Sequence, residues 1–232
     1  MSTIDRPNPM TLPRLEPGQR LDRATFHARY EAMPPRTRAE LIGGVVYMPS
    51  PLRNDHGDTG FYVAGWLAQY LRVTPGMRGS ENATVFLDPE SEAQPDVSLR
   101  VLPEYGGQTR VSEDGYLTGP PEMIVEIARS SRKFDLGEKL RDYERGGVLE
   151  YVVVALEPDE VYWFVRRGDR FEPLPPGPDG RFRSEVYPGL WLDPAALYAD
   201  DLDRLLGTLE RGLATPEHAE FVTRLAARRA AG

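Results

Sequence analysis

The spacing of apolar and polar residues changes from block to block along this chain, and each change marks an element. Phe26 and Tyr30 stand four apart, which predicts a short helix over residues 22–32, ended by Pro34-Pro35. Ala39-Glu40-Leu41-Ile42 and Val45-Val46-Tyr47-Met48 flank Gly43-Gly44, the pattern of a tight β-hairpin. Phe61, Val63, Ala64, Leu67, Ala68 and Leu71 predict a helix over 54–71. Residues 84–87 and 96–101 read as short strands separated by an acidic turn, 88–94, and residues 103–119 as a polar, Gly-rich loop. In 123–128 only Glu126 interrupts an apolar run, as in a strand buried on both faces. A helix over 136–145 stops at Gly146-Gly147. A second buried strand follows over 150–156, and 161–165 pairs with it across Pro158-Asp159.

Strand, helix and strand over 123–156 permit a parallel crossover. The fold class expected is α/β, one domain over 21–195 with a central mixed β-sheet flanked by helices and an N-terminal hairpin. Residues 1–20, with four prolines, read as a flexible arm. Residues 171–192 read as an outer β-ribbon. The tail, 196–232, reads as two polar helices on the outside.

Composition narrows the chemistry. With 40% hydrophobic residues in 232, a sizeable core is available. No apolar run approaches the roughly 20 residues of a membrane helix. The opening MSTIDRPNPM has no apolar stretch, so no secretory signal is expected. Zero cysteines exclude disulfides, a thiol nucleophile and Cys-type zinc sites, and fit a reducing cytoplasm. His27, His56 and His218 are the only histidines, too few for a His-rich metal site, so any metal is a hard cation on carboxylates. A net charge of −8 argues against coating nucleic acid, but not against metal-dependent cutting of it. Among 28 basic residues only Lys133 and Lys139 are lysines. Either mere survival or a need for a compact ammonium accounts for the pair.

Three acids stand where strands seldom carry them: Glu40 in the hairpin, Asp96 at a strand start and Glu126 inside its apolar run. A buried carboxylate is costly unless it is paired or binds a cation. Ion pairs with arginine explain any one of them; several meeting at one sheet end form a natural Mg²⁺ site. Lys139, Asp142 and Tyr143 share one helix face, from which Lys139 can reach back to these acids. Lys133 reads as a solvated loop cation, Tyr143 and Tyr151 as structural, and His56 as a packing or capping residue or as an outer base or phosphate contact.

The order Glu40-Leu41-Ile42-Gly43-Gly44, His56, Pro95-Asp96-Val97, Val125-Glu126-Ile127-Ala128-Arg129-Ser130-Ser131, Asp135, Lys139, Tyr143, Gly147-Val148 and Glu150-Tyr151 resembles a widespread bacterial family. This is the putative restriction endonuclease branch of the PD-(D/E)xK nuclease superfamily, and the likeness spans roughly residues 20–195. The resemblance implies a restriction-endonuclease-like core in which acids hold Mg²⁺ (or Mn²⁺) and a lysine assists the attacking water. Carried over, Asp96 is the motif Asp, Glu126 the following acid and Glu40 an additional acid, all three as metal ligands. Ala128 stands where the motif's lysine belongs, and Lys139 is the implied substitute. Val152 and Ala155 depart from the family pattern more mildly.

The expected function is a metal-dependent nuclease acting on DNA, with Glu40, Asp96, Glu126 and Lys139 as catalytic residues. Ala128 keeps open a catalytically inactive nuclease-fold module that binds DNA or protein. A glycosidase using Glu126 and Asp96 is a third class. Hairpin and ribbon offer sheet edges for a homodimer.

Overall fold

The computed structural model describes residues 12–231. Helix α1 (Arg23–Glu31) is capped by Asp22, which accepts the Thr25 N–H at 2.8 Å. Hairpin strands β1 (Glu40–Ile42) and β2 (Val45–Tyr47) follow. Their turn needs φ of +58° at Gly43 and +74° at Gly44, which glycine adopts without strain. Helix α2 (Asn54–Val73) leads to β3 (Met77–Glu81), β4 (Val85–Asp88), β5 (Ser91–Ala93) and β6 (Val97–Val101). Short strands β7 (Arg110–Val111) and β8 (Leu117–Thr118) precede β9 (Met123–Ala128). A continuous helical stretch then runs through α3 (Arg132–Phe134), a π-helical turn (Asp135–Lys139) and α4 (Leu140–Gly146). Strands β10 (Glu150–Leu156), β11 (Asp159–Arg167), β12 (Arg170–Pro173), β13 (Phe182–Arg183) and β14 (Trp191–Leu192) complete the β structure. Helices α5 (Pro194–Tyr198), α6 (Leu202–Leu213) and α7 (Pro216–Ala231) end it.

The strands form two six-stranded mixed sheets, in the orders β2-β1-β5-β4-β8-β7 and β12-β11-β10-β9-β6-β3, with β13 and β14 as a separate ribbon. The α/β fold with a mixed sheet flanked by helices is as expected; the hairpin belongs to a second sheet together with β5, β4, β8 and β7. In the second sheet β9 and β10 run parallel with Val125 opposite Val152, joined by the helical crossover. Residues 94–96 carry the chain from β5 in the first sheet to β6 in the second, so the two sheets meet there.

One face of the second sheet packs against Val63, Trp66, Leu67 and Tyr70 of α2, together with Leu205 and Leu209 of α6 and Phe221 and Leu225 of α7. Its other face, with Ile124, Tyr151 and Val153, packs with Val85, Leu87 and Ala93 of the first sheet and with Tyr143 of α4. A smaller cluster joins Leu15, Phe26, Leu41 and Val46.

Several expectations change. The helices beyond residue 194 are three and supply core residues, because one apolar stripe per helix suffices for burial whatever its mean polarity. Phe61, expected on the inner face of α2, is 76% exposed: the stripe is set by residues 63, 66, 67 and 70, and Phe61 lies opposite it. The acidic turn holds β5, and the loop over 103–119 holds two short strands that extend the first sheet. The helix expected from 136 begins at 132. Of the arm, residues 1–11 lie outside the described residues, while Gly18 and Arg20 bond to Val46 and Val45 of the hairpin. Among the described residues no helix is long and apolar enough to cross a membrane.

Candidate active site

Strand register brings the first two acids together. Val97 of β6 faces Val125 of β9, so Asp96, one residue earlier, stands beside Glu126. Asp96 Oδ2 accepts the Ile127 N–H at 2.8 Å, and the Asp96 N–H points at Glu126 Oε2 at 3.4 Å. Glu40 arrives from the other sheet. Its Oε1 accepts the N–H of Gln94, the residue that starts the crossing between sheets, at 2.8 Å.

The helical stretch supplies the counter-charge. Lys139 Nζ lies 2.9 Å from Glu126 Oε1 and 3.1 Å from Glu40 Oε1, with the side chain 6% exposed. It closes the π-turn Asp135–Lys139, an irregularity that frequently marks functional helices. One turn on, Tyr143 donates its hydroxyl to the same Glu126 Oε1 at 2.7 Å. Asp142 accepts the Gly43 N–H at 2.9 Å and the Ser91 hydroxyl at 2.5 Å, which clamps the hairpin and β5 to α4 and fixes Glu40. The face shared by Lys139, Asp142 and Tyr143 is therefore wholly turned onto the acids and their supports.

Two residues join that sequence reasoning did not place. His56, in the first turn of α2, holds Nε2 3.2 Å from Asp96 Oδ2. Asp135 is buried, and its Oδ2 has no hydrogen-bond partner. Its spacing four before Lys139 on a helical stretch was the available signal. Lys133 is exposed, as expected of a loop cation, though it sits within α3.

Charge in this space is unbalanced. Glu40, Asp96, Glu126 and Asp135 surround one buried ammonium. Burial pushes Glu126 well above the ordinary carboxylate range; Lys139 opposes this, while Asp96, Asp135 and Glu40 add to it. Burial likewise lifts Asp135 to about 6, against the pull of Lys139 and Ser131. For Lys139 burial works downward, but Glu126, Glu40 and Asp135 outweigh it and keep the amine protonated. Burial also works upward on Asp96, where the His56 contact, the Ile127 N–H and Lys139 prevail and hold it below its usual value. Burial and neighbouring carboxylates thus favour the neutral form of Glu126 and Asp135, while Asp96 is the more acidic member. Asp96 is the accessible member, with 18% of its side chain exposed beside a half-buried His56. Among the described residues no three Asp, Glu or His side chains already stand at metal-holding separations.

A family model described as "Putative restriction endonuclease" (Uma2) matches residues 24–195 of this chain. The chain is also similar in structure to a crystallised putative nuclease belonging to DUF820 from Anabaena variabilis ATCC 29413. That likeness has a TM-score of 0.57 at 13% identity, over 74% of this chain and 96% of the other. At that identity the likeness speaks for the fold. No curated protein matches the chain.

Proposed function

Because the chain belongs to the Uma2 family of putative restriction endonucleases, we propose that it is a metal-dependent nuclease that hydrolyses phosphodiester bonds in DNA. One observation carries this reading: Lys139 Nζ stands 2.9 Å from Glu126, so a helix-borne lysine occupies the space that Ala128 cannot reach.

The cation proposed is Mg²⁺, or Mn²⁺ in its place, with Asp96 and Glu126 as ligands and Glu40 as an accessory acid. The residues fit such a guest. Their donors are hard carboxylate oxygens, Asp135 Oδ2 is buried without a partner, and four acids face one ammonium. Mg²⁺ asks for only one or two carboxylates and keeps several waters. When bound, the ion supplies Lewis acidity, lowering the pKa of an attacking water and offsetting charge on the phosphate.

The protein's own residues do the rest. Lys139, kept charged by Glu126 and Glu40, acts as a fixed positive group and N–H donor toward the developing phosphorane oxygens; it does not take a proton. Tyr143 and Lys139 hold Glu126 in one orientation through a single oxygen, leaving Oε2 directed toward Asp96. His56, raised above its ordinary pKa where the Asp96 contacts outweigh burial, orients Asp96 and offers a donor to a phosphate oxygen. A homodimer would set two such sites on one duplex, and a cytoplasmic location would give access to it.

Purified chain with Mg²⁺ or Mn²⁺ should nick supercoiled plasmid, and Glu126→Gln should abolish nicking while circular dichroism stays unchanged. Equal nicking by parent and variant would place the activity elsewhere. The alternative, a non-catalytic module, rests on Ala128; the Lys139 contact favours the catalytic reading.

A further inference from the structure

The segment that delivers Glu40 also carries two free cations. Arg36 and Arg38, with Tyr30, Asn82 and Gln94, line a cleft of about 380 Å³. Hydrogen bonds tie its walls to the acids. The Gln94 N–H donates to Glu40 Oε1 at 2.8 Å, and the Asn82 N–H donates to the Asp96 carbonyl at 3.2 Å. Arg38 lies two residues before Glu40, and Gln94 two before Asp96. Cleft and acids therefore share their supporting segments. A second hollow, of about 430 Å³, lies along α7 between Ala219 and Arg224 and touches none of them.

The cleft is cationic in a chain that is acidic overall. Some arginines, such as Arg129 and Arg145, meet a carboxylate. Arg36 and Arg38 are exposed and, among the described residues, pair with none. In a chain of net charge −8, two guanidiniums lining a cleft whose walls are bonded to the acids invite an anion with the fork geometry of phosphate. Gln94 spends its Nε2 on the Tyr30 and Thr84 hydroxyls at 3.0 Å each, so its amide is held in place with its oxygen available. Asn82 is held at φ +51°, in the left-handed region, which presents its side chain at the rim.

We propose that this cleft binds the nucleotide next to the scissile phosphodiester, with Arg36 and Arg38 on its phosphate and the amides of Asn82 and Gln94 toward its base. The proposal rests on the nuclease reading above and adds to it where the substrate strand lies.

The test is fluorescence anisotropy of a short fluorescein-labelled single-stranded DNA on the full chain in Ca²⁺, titrated over salt, with plasmid nicking in Mg²⁺ run alongside. Arg36→Ala/Arg38→Ala should bind about tenfold more weakly, with a log–log salt slope shallower by about 0.7 per arginine. Arg36→Lys/Arg38→Lys should keep the slope, and Arg72→Ala/Arg170→Ala, which removes the same charge elsewhere, should bind like the parent. Unchanged affinity and slope in Arg36→Ala/Arg38→Ala would overturn the cleft, as would an equal loss in Arg72→Ala/Arg170→Ala. Nicking with arginine-independent binding defeats the cleft alone. Arginine-dependent binding without nicking supports the cleft and defeats the hydrolytic reading. A parent that neither binds nor nicks defeats both.

Discussion

Two glutamates on neighbouring parallel strands differ in what meets them once they are buried. Glu150 of β10 and Glu126 of β9 are both nearly inaccessible. Glu150 is met by neutral donors alone: the Ser184 hydroxyl at 2.6 Å and the N–H groups of Glu185 at 2.7 Å and Val186 at 3.1 Å. Every lone pair it needs to use is used, and the result is a clamp between β10 and the 184–186 turn. Glu126 is met by a lysine, a tyrosine and other carboxylates. Burial alone is therefore uninformative; what sets Glu126 apart is the surplus of like charge around it.

The strongest way to break the contrast is Lys139→Ala, which leaves Glu126 and Glu40 facing each other without compensation. Nicking should fall by about a thousandfold or more, and denaturant unfolding should show a loss of about 3–5 kcal/mol. A variant as stable and active as the parent would make the two glutamates equivalent. Next, Asp96→Asn should lower the nicking rate by about a hundredfold or more while the fold persists, because the Ile127 N–H still finds an acceptor. A smaller effect is due from Tyr143→Phe. Losing the hydroxyl on Glu126 should cost about 1–2 kcal/mol in the same unfolding assay, with activity reduced rather than abolished.

Glu150→Gln should leave nicking unchanged, since the amide oxygen accepts the same two N–H groups and the amide nitrogen donates to the Ser184 hydroxyl oxygen instead of accepting from it. It should instead alter the pH dependence of stability. Burial lifts Glu150 from 4.5 to about 7 against the pull of its donors. An acid that ionises more readily unfolded than folded binds fewer protons in the unfolded chain between those values, so the parent loses stability as pH rises from 4.5 to 7. The variant should escape a loss of about 3 kcal/mol, read as a stability advantage over the parent at pH about 8 that is absent near pH 4. An advantage independent of pH would contradict the assignment.

Elements whose pattern is local were legible in the sequence. The Gly-Gly hairpin, the 123–128 strand and the 150–156 strand fall where composition and turn residues put them. Elements whose burial depends on distant partners were not. β5 reads as a polar turn because Ser91 and Glu92 are buried only through Asp142 and His27. Phe61 is apolar by sequence and exposed by geometry. In the site, Glu40, Asp96, Glu126 and Lys139 were each singled out by a mismatch with their surroundings, and the structure brings all four into one space. By sequence His56 fits more than one role and Tyr143 fits packing, and Asp135 carries no strand-based mismatch at all, since helices accept acids freely.

The metal reading of the carboxylate surplus around Glu126 is tested most directly by calorimetric titration of Mn²⁺ into the parent and into Asp96→Asn. The parent should bind the ion with release of protons at neutral pH, and Asp96→Asn should bind it at least about tenfold more weakly. A parent that takes up no Mn²⁺, or an Asp96→Asn variant that binds it equally well, would contradict that reading.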